Sequence, residues 1–317
     1  METGMAMDRK IILPGGAGLV GQNLVARLKQ RGYTGIVVLD KHAANLDILR
    51  RHHPDIVAEV ADLARPGAWQ RHFAGAAAVV MLQAQIGAKT AEPFVRNNIA
   101  ATDMVLATLK EHAVPYLVHI SSSVVDSVAD DDYTRTKRTQ EEHVLAAGIE
   151  CVVLRPTLMF GWFDRKHLGW LSRFMRRVPV FPVPGHGRYM RQPLYVGDFC
   201  NVIISCLERR IAGSVYQITG LEQVSYIDII RQVRSAVAAR CLIINIPFGL
   251  FAGLLRIWAL FDETPPFTAD QLQALVAGDE FAVIDWPAIF AVTPTPFAQA
   301  VRETFAHPVY SDIVLEF

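Results

Sequence analysis

Apolar residues arrive in short runs, each stopped by a glycine, an acid or small polar residues. Residues 10–13 open such a run, which halts at Pro14-Gly15-Gly16. Residues 36–39 end on Asp40, 56–61 on Asp62-Leu63, 77–82 near Gln83-Ala84, and 116–120 on Ser121-Ser122-Ser123. Runs this short predict strands, 36–39 a buried one. Between them, residues 19–31 carry Val20, Leu24 and Leu28 at helical spacing before Gly32, and residues 92–112 form a second long helix. A further strand is expected at 214–219, and helices at 198–210 and 225–240, the last begun by a serine cap. Strands alternating with helices predict an α/β protein, a Rossmann-type doubly wound parallel sheet.

Composition narrows the class. A chain of 317 residues, 51% hydrophobic and 20% charged, can bury a full core. Lys+Arg and Asp+Glu are both 31, so no electrostatic footprint for nucleic acid exists. Cys151, Cys200, Cys206 and Cys241 form no Cys-x-x-Cys pair, and no histidine spacing suggests a metal site. Reduced thiols, no metal and a cytoplasmic setting are the expectations. Residues 1–9 hold no apolar run of signal length and are expected to be a disordered tail.

The candidate chemistry starts at the first strand-to-helix turn. Gly15, Gly18 and Gly21 permit a tight turn, backbone approach to a pyrophosphate and close helix packing, with Leu19 and Val20 opening the helix that faces the phosphates. Asp40, about twenty residues on, stands where a carboxylate accepts the adenosine ribose hydroxyls, which favours NAD; the neighbouring Lys41 pulls toward NADP. Asp62 is placed either against the adenine amino edge or as a cap on the next turn. Tyr133 and Lys137 lie four apart, on one helical face, behind an acidic start at Asp130-Asp131-Asp132.

These motifs in this order, Gly15-x-x-Gly18-x-x-Gly21, Asp40, Asp62-Leu63, residues 98–102, Ser121-Ser122 and Tyr133-x-x-x-Lys137, resemble the extended short-chain dehydrogenase/reductase family, of NAD-dependent epimerase/dehydratase type. The likeness continues through residues 152–157, resembling the family's strand and proline turn with Arg155-Pro156-Thr157, through Phe160-Gly161 and the segment 191–198, covering residues 10 to about 245. It implies Ser122, Tyr133 and Lys137 as the catalytic residues. It also implies NAD contacts from Gln83, Ala84, Asn98, Ser121, Tyr133, Lys137, Pro156 and Thr157, and substrate contacts from Ser123 and Arg191. In that scheme Tyr133 as phenolate takes the hydroxyl proton of the substrate. Lys137 lowers the pKa of the tyrosine while holding the nicotinamide ribose, and Ser122 bonds the reacting oxygen.

The departures bear on substrate. Pro14 replaces a hydroxyl residue of the family's turn, Ala101 a glycine, and Val125-Asp126-Ser127 the family's Val-Tyr-Gly. Eleven positions separate Ser122 from Tyr133, where sugar-nucleotide enzymes of the family have about twice as many. No Asp-Glu pair follows the serines, which disfavours dehydration. Residues 10–160, with 194–220 returning to the sheet, are expected to hold the nucleotide, and 161–193 with 221–317 to form a smaller C-terminal substrate lobe. The apolar segment 246–261, interrupted by Arg256, is too short to span a bilayer and is expected as a buried helix of that lobe. The prolines after it and residues 268–272 also resemble the branch holding the dehydrogenase-like accessory subunit of respiratory complex I.

Three functions remain open on the sequence. They are an NAD-dependent epimerase or oxidoreductase of a nucleotide sugar, favoured by Arg191; a dehydrogenase of a bulky apolar, steroid-like alcohol; and a non-catalytic nucleotide-binding interaction protein. A small-molecule substrate, no nucleic acid, no membrane association and room for a homodimer complete the expectations.

Overall fold

The computed structural model describes residues 9–259 and 281–316. Six strands, β1 (Ile11–Pro14), β2 (Ile36–Asp40), β3 (Val57–Val60), β4 (Ala78–Met81), β5 (Leu117–Ile120) and β6 (Cys151–Pro156), join Val215–Ile218 in one sheet. The order is Val215–Ile218, β6, β5, β4, β1, β2, β3, and every pairing is parallel. Winding reverses between β1 and β4, so a ligand crevice opens beyond the C-terminal ends of these strands.

Alternation along each strand feeds two cores. Ile11 and Leu13 pack with Leu24, Leu28 and Val196 on one face, while Ile12 packs with Val79, Val105 and Leu117 on the other. Helices Leu19–Gln30 and Val196–Arg209 cover the first face; Ala101–Glu111 and Asp132–Ala146 cover the second. The helix expected over 92–112 is one continuous run with a widened π-helical stretch at Val95–Ala100, which holds Asn98 fully buried.

The C-terminal region is built on small strand pairs. Met159–Phe160 pairs with Leu194–Tyr195, Met190–Arg191 with Val224–Ser225, and Val180–Pro184 runs parallel to Leu242–Ile246. Helix Tyr226–Ala236 packs against His167–Met175 and Phe297–Ala306, and Ser225 caps it, its Oγ accepting from Asp228 N at 3.3 Å.

The buried helix expected over 246–261 is corrected by the structure. Ile246 closes a strand, and the helix Phe248–Ala259 turns Leu250, Leu254 and Ile257 outward, 56%, 49% and 56% exposed. These positions are four and three apart, one helical face, and mean apolarity could not reveal that this face lacks cover. Residues 260–280, with Pro265-Pro266 and the 268–272 stretch, lie outside the described residues, as does most of the expected tail. Among the described residues the four cysteines are free thiols, no side-chain group could hold a metal, and no helix is long and apolar enough to cross a membrane.

Candidate active site

At the end of β1, Gly15 has φ +75°, and a Cβ there would lie 2.3 Å from the backbone nitrogen of Gln83. Only glycine lets the chain turn so close to β4. A Cβ on Gly21 would stand 2.1 Å from the Gly16 carbonyl oxygen, so the helix sits directly on the turn. Gly18 differs: a Cβ there would meet only Gly15 O, at 3.9 Å. It caps helix Leu19–Gln30 with no side-chain cap and no acid in the first turn, leaving the positive helix end open to an anion beside half-exposed Leu19 and Val20.

Asp40 braces this turn. Its Oδ2 accepts from Ala17 N at 3.0 Å and its Oδ1 from His42 N at 3.0 Å, and the residue is 7% exposed. Each oxygen keeps a lone pair for a further donor. Lys41 is exposed. Asp62 is engaged otherwise: Oδ1 accepts from Ala64 N at 3.2 Å, and Oδ2 pairs with Arg96 and, at 3.6 Å, with Arg65. Of the two expected placements its carboxylate here takes the turn cap, inside an ion-pair cluster, and Leu63 is buried in the core.

Beyond β4, Ala84 is exposed and Gln83 is buried, its Nε2 reaching Thr102 Oγ1 at 3.4 Å while Oε1 has no partner. Asn98 accepts from Gln85 N at 2.6 Å and donates to Gln85 O at 3.2 Å and Thr136 Oγ1 at 3.0 Å. At the end of β6, after Pro156, the buried Thr157 Oγ1 is also without a partner. Orphaned buried acceptors and an open glycine cradle are what a bound dinucleotide would complete.

The Tyr133 helix begins at Asp132, with Asp131 accepting from Thr134 N at 2.8 Å as its cap. Ser122 caps the short turn Ser123–Asp126, its Oγ accepting from Val124 N at 3.4 Å, and the same hydroxyl lies close enough to the Tyr133 phenol to act on its titration. Ser122 and Tyr133 are thus together. Burial lifts the phenol above its usual pKa, Ser122 pulls it partly back, and Asp131 adds to the rise. Lys137 is not among the groups that act on the phenol in this arrangement. Lys137 is fully buried and its Nζ donates to Ile120 O at 3.1 Å and to Gln140 Oε1. Burial also brings its own pKa down to about 7, partly opposed by Glu141, so near neutrality its charge is only partly present. Asp130 and Asp132 are paired with Arg135.

Below this pair lies a polar floor that motif reading missed. Ser121 Oγ donates to Glu141 Oε2 at 2.5 Å, and Arg155 bridges Glu141 (Nε to Oε2, 3.0 Å) and Asp126 (2.8 and 2.9 Å). The Ser121 hydroxyl is thus turned into the floor. Gln140 also donates to Thr102 Oγ1 at 2.8 Å. Thr136, Gln140 and Glu141 follow Tyr133 and Lys137 at three- and four-residue spacing, the signal that could have found them. His119, on β5, is fully buried with both ring nitrogens unpartnered, and burial, then the Lys137 charge, hold its pKa well below the ordinary value. Ser123 is half-exposed; Arg191 belongs to the C-terminal region, where its charge bears on Tyr226 and His167.

A seven-stranded parallel sheet with an open glycine cradle at its switch point defines a dinucleotide-binding, Rossmann-type fold. The profile of the NAD dependent epimerase/dehydratase family matches residues 11–219, and the chain is an enzyme belonging to that family. It is 26% identical over 300 residues to the 2-alkyl-3-oxoalkanoate reductase of Stenotrophomonas maltophilia, covering 83% of this chain and 89% of that one. It is 25% identical to the ceramide reductase of Caulobacter vibrioides, covering 95% and 92%. Among solved structures, the UDP-glucuronic acid 4-epimerase of Bacillus cereus in complex with NAD shares the fold, with a TM-score of 0.68, 22% identity and coverage of 93% and 96%. A partial likeness to the mitochondrial NADH dehydrogenase [ubiquinone] 1 alpha subcomplex subunit 9 of Arabidopsis thaliana, 27% identical, covers 39% of this chain and 31% of that one.

Proposed function

We propose that this enzyme reduces a ketone on a lipid-like molecule, or oxidises the corresponding alcohol, with NAD as cofactor and Tyr133 as acid and base. The Ser122–Tyr133 pair carries the reading. The phenol keeps its proton at neutral pH, which suits an acid that protonates a carbonyl oxygen. Reduced NAD, when bound, supplies the hydride. Ser122 bonds the reacting oxygen, Lys137 with Gln140 fixes the floor of the site, and Gly15, Gly18 and Asp40 hold the dinucleotide, with Asp40 selecting against a 2′-phosphate.

The substrate class rests on the two reductase relatives, named for lipid-like compounds, and on the short span between Ser122 and Tyr133. A second reading, epimerisation of a nucleotide sugar, is supported by Arg191, which backbone pairing of Met190–Arg191 with Val224–Ser225 fixes in place and whose guanidinium suits a diphosphate. Consumption of NADH with long-chain ketones, against interconversion of UDP- and dTDP-sugars in the presence of NAD, which uses up no cofactor, separates the two. Turnover of a ketone and none of the sugars is expected; sugar interconversion lost in Arg191→Ala would favour the second. Fluorescence titration should show NADH bound more tightly than NADPH, with the gap narrowed in Asp40→Ala; tighter NADPH binding refutes the cofactor assignment.

A further inference from the structure

The parallel pair Val180–Pro184 and Leu242–Ile246 breaks the usual rule of one apolar and one polar face. Phe181 and Val183 point inward, 3% and 0% exposed, as the core requires. Register sets Val180 beside Leu242 and Pro182 beside Ile244 on the opposite face. There Val180, Leu242 and Ile244 are 38%, 65% and 43% exposed. One residue after the strand, helix Phe248–Ala259 begins, packs beside Val180–Pro184 and adds the outward stripe Leu250, Leu254 and Ile257. A two-stranded ribbon and a helix, adjacent in chain and in space, both expose bulky aliphatic groups. Apolar surface of that kind marks an interaction site.

The surrounding charge says which kind. Residues 165–197 hold seven Lys and Arg and no acid, and residues 229–259 hold four Arg and no acid, in a chain of zero net charge. Arg176 is paired with Asp312 and Arg231 with Asp228. Placement matters more than number. Exposed Arg177 precedes Val180 by three residues and exposed Arg240 precedes Leu242 by two, so register brings both to the same end of the ribbon. Exposed Arg188 follows its other end. Aliphatic side chains between guanidinium groups match a bilayer surface with anionic headgroups, where the chains enter the headgroup boundary and the cations meet the phosphates. A second copy of the chain would set these cations against each other.

We propose that this ribbon and helix dock the enzyme on the surface of an anionic lipid membrane, without spanning it. The assignment stands independently of the substrate reading and would hold for an enzyme of either substrate class. Flotation of the full chain with phosphatidylcholine vesicles carrying phosphatidylglycerol at about one lipid in four is the test. The protein should float with these vesicles, float far less with pure phosphatidylcholine, and be released as salt rises. Leu250→Glu combined with Leu254→Glu should cut the bound fraction at least tenfold, and Arg177→Glu with Arg240→Glu should do so on the anionic vesicles. All four side chains lie far from the nucleotide site in sequence, and unchanged NADH binding certifies that each variant is folded. No flotation, or flotation that the Leu250→Glu/Leu254→Glu variant retains in full, overturns the proposal. So does a stable dimer in light scattering that the same leucine variant dissociates.

Discussion

Asn98 Nδ2 donates to Thr136 Oγ1 at 3.0 Å, and the Asn98 oxygen holds Gln85 N at 2.6 Å. One fully buried amide thus ties the loop after β4, on the nucleotide side, to the helix that carries Tyr133 and Lys137. Asn98→Ala leaves those partners unmatched in a dry site. It should cost about 2 kcal/mol in denaturant unfolding and weaken NADH binding together with turnover. Unfolding at the original denaturant midpoint would remove the tie from the account.

The glycines separate two roles that motif reading merges. Gly21→Ala drives a methyl to 2.1 Å from a backbone oxygen, so the helix has to move, and both the melting temperature and NADH affinity should fall. Gly18→Ala meets nothing nearer than 3.9 Å. It should melt close to the unmodified protein and still lose NADH affinity, because it fills the space kept for the phosphates. Equal losses of melting temperature in the two variants contradict this division.

Strand runs such as 36–39 and the glycine turn were legible because a parallel sheet buried on both faces needs uninterrupted apolar segments, whatever the rest of the chain does. The Tyr133–Lys137 spacing was legible for the same kind of local reason. What escaped depends on tertiary partners. The direction of the Lys137 ammonium is set by Ile120 O and Gln140, and the Asp62 carboxylate is claimed by Arg96, 34 residues away. Likewise the apolarity of residues 248–259 showed a face needing cover, and only the fold showed that it faces outward.

Lys137 makes stability depend on pH in a stated direction. Its folded-state pKa is about 7 against 10.5 for the ordinary side chain, burial being the main cause. Below about pH 7 both states hold the proton, and the full cost of burying the charge is present. Between there and the ordinary lysine value the unfolded chain binds more protons than the folded one, so stability climbs with pH on this account. In Lys137→Met that contribution is absent. Urea unfolding of the cofactor-free protein should therefore show the variant gaining on the unmodified protein as pH falls toward about 6 and losing that advantage near pH 9. A stability difference independent of pH would show that the ammonium is not buried as described.

The central claim is that Tyr133 moves the proton during hydride transfer. Tyr133→Phe removes a single oxygen from a partly buried ring, so fold and NADH affinity should survive. Single-turnover oxidation of bound NADH by the ketone found active in the substrate panel measures the step directly. The account predicts a rate reduced by about 10²–10⁴-fold at unchanged NADH affinity, the worth of a general acid; a Tyr133→Phe enzyme that oxidises bound NADH at the original rate contradicts it.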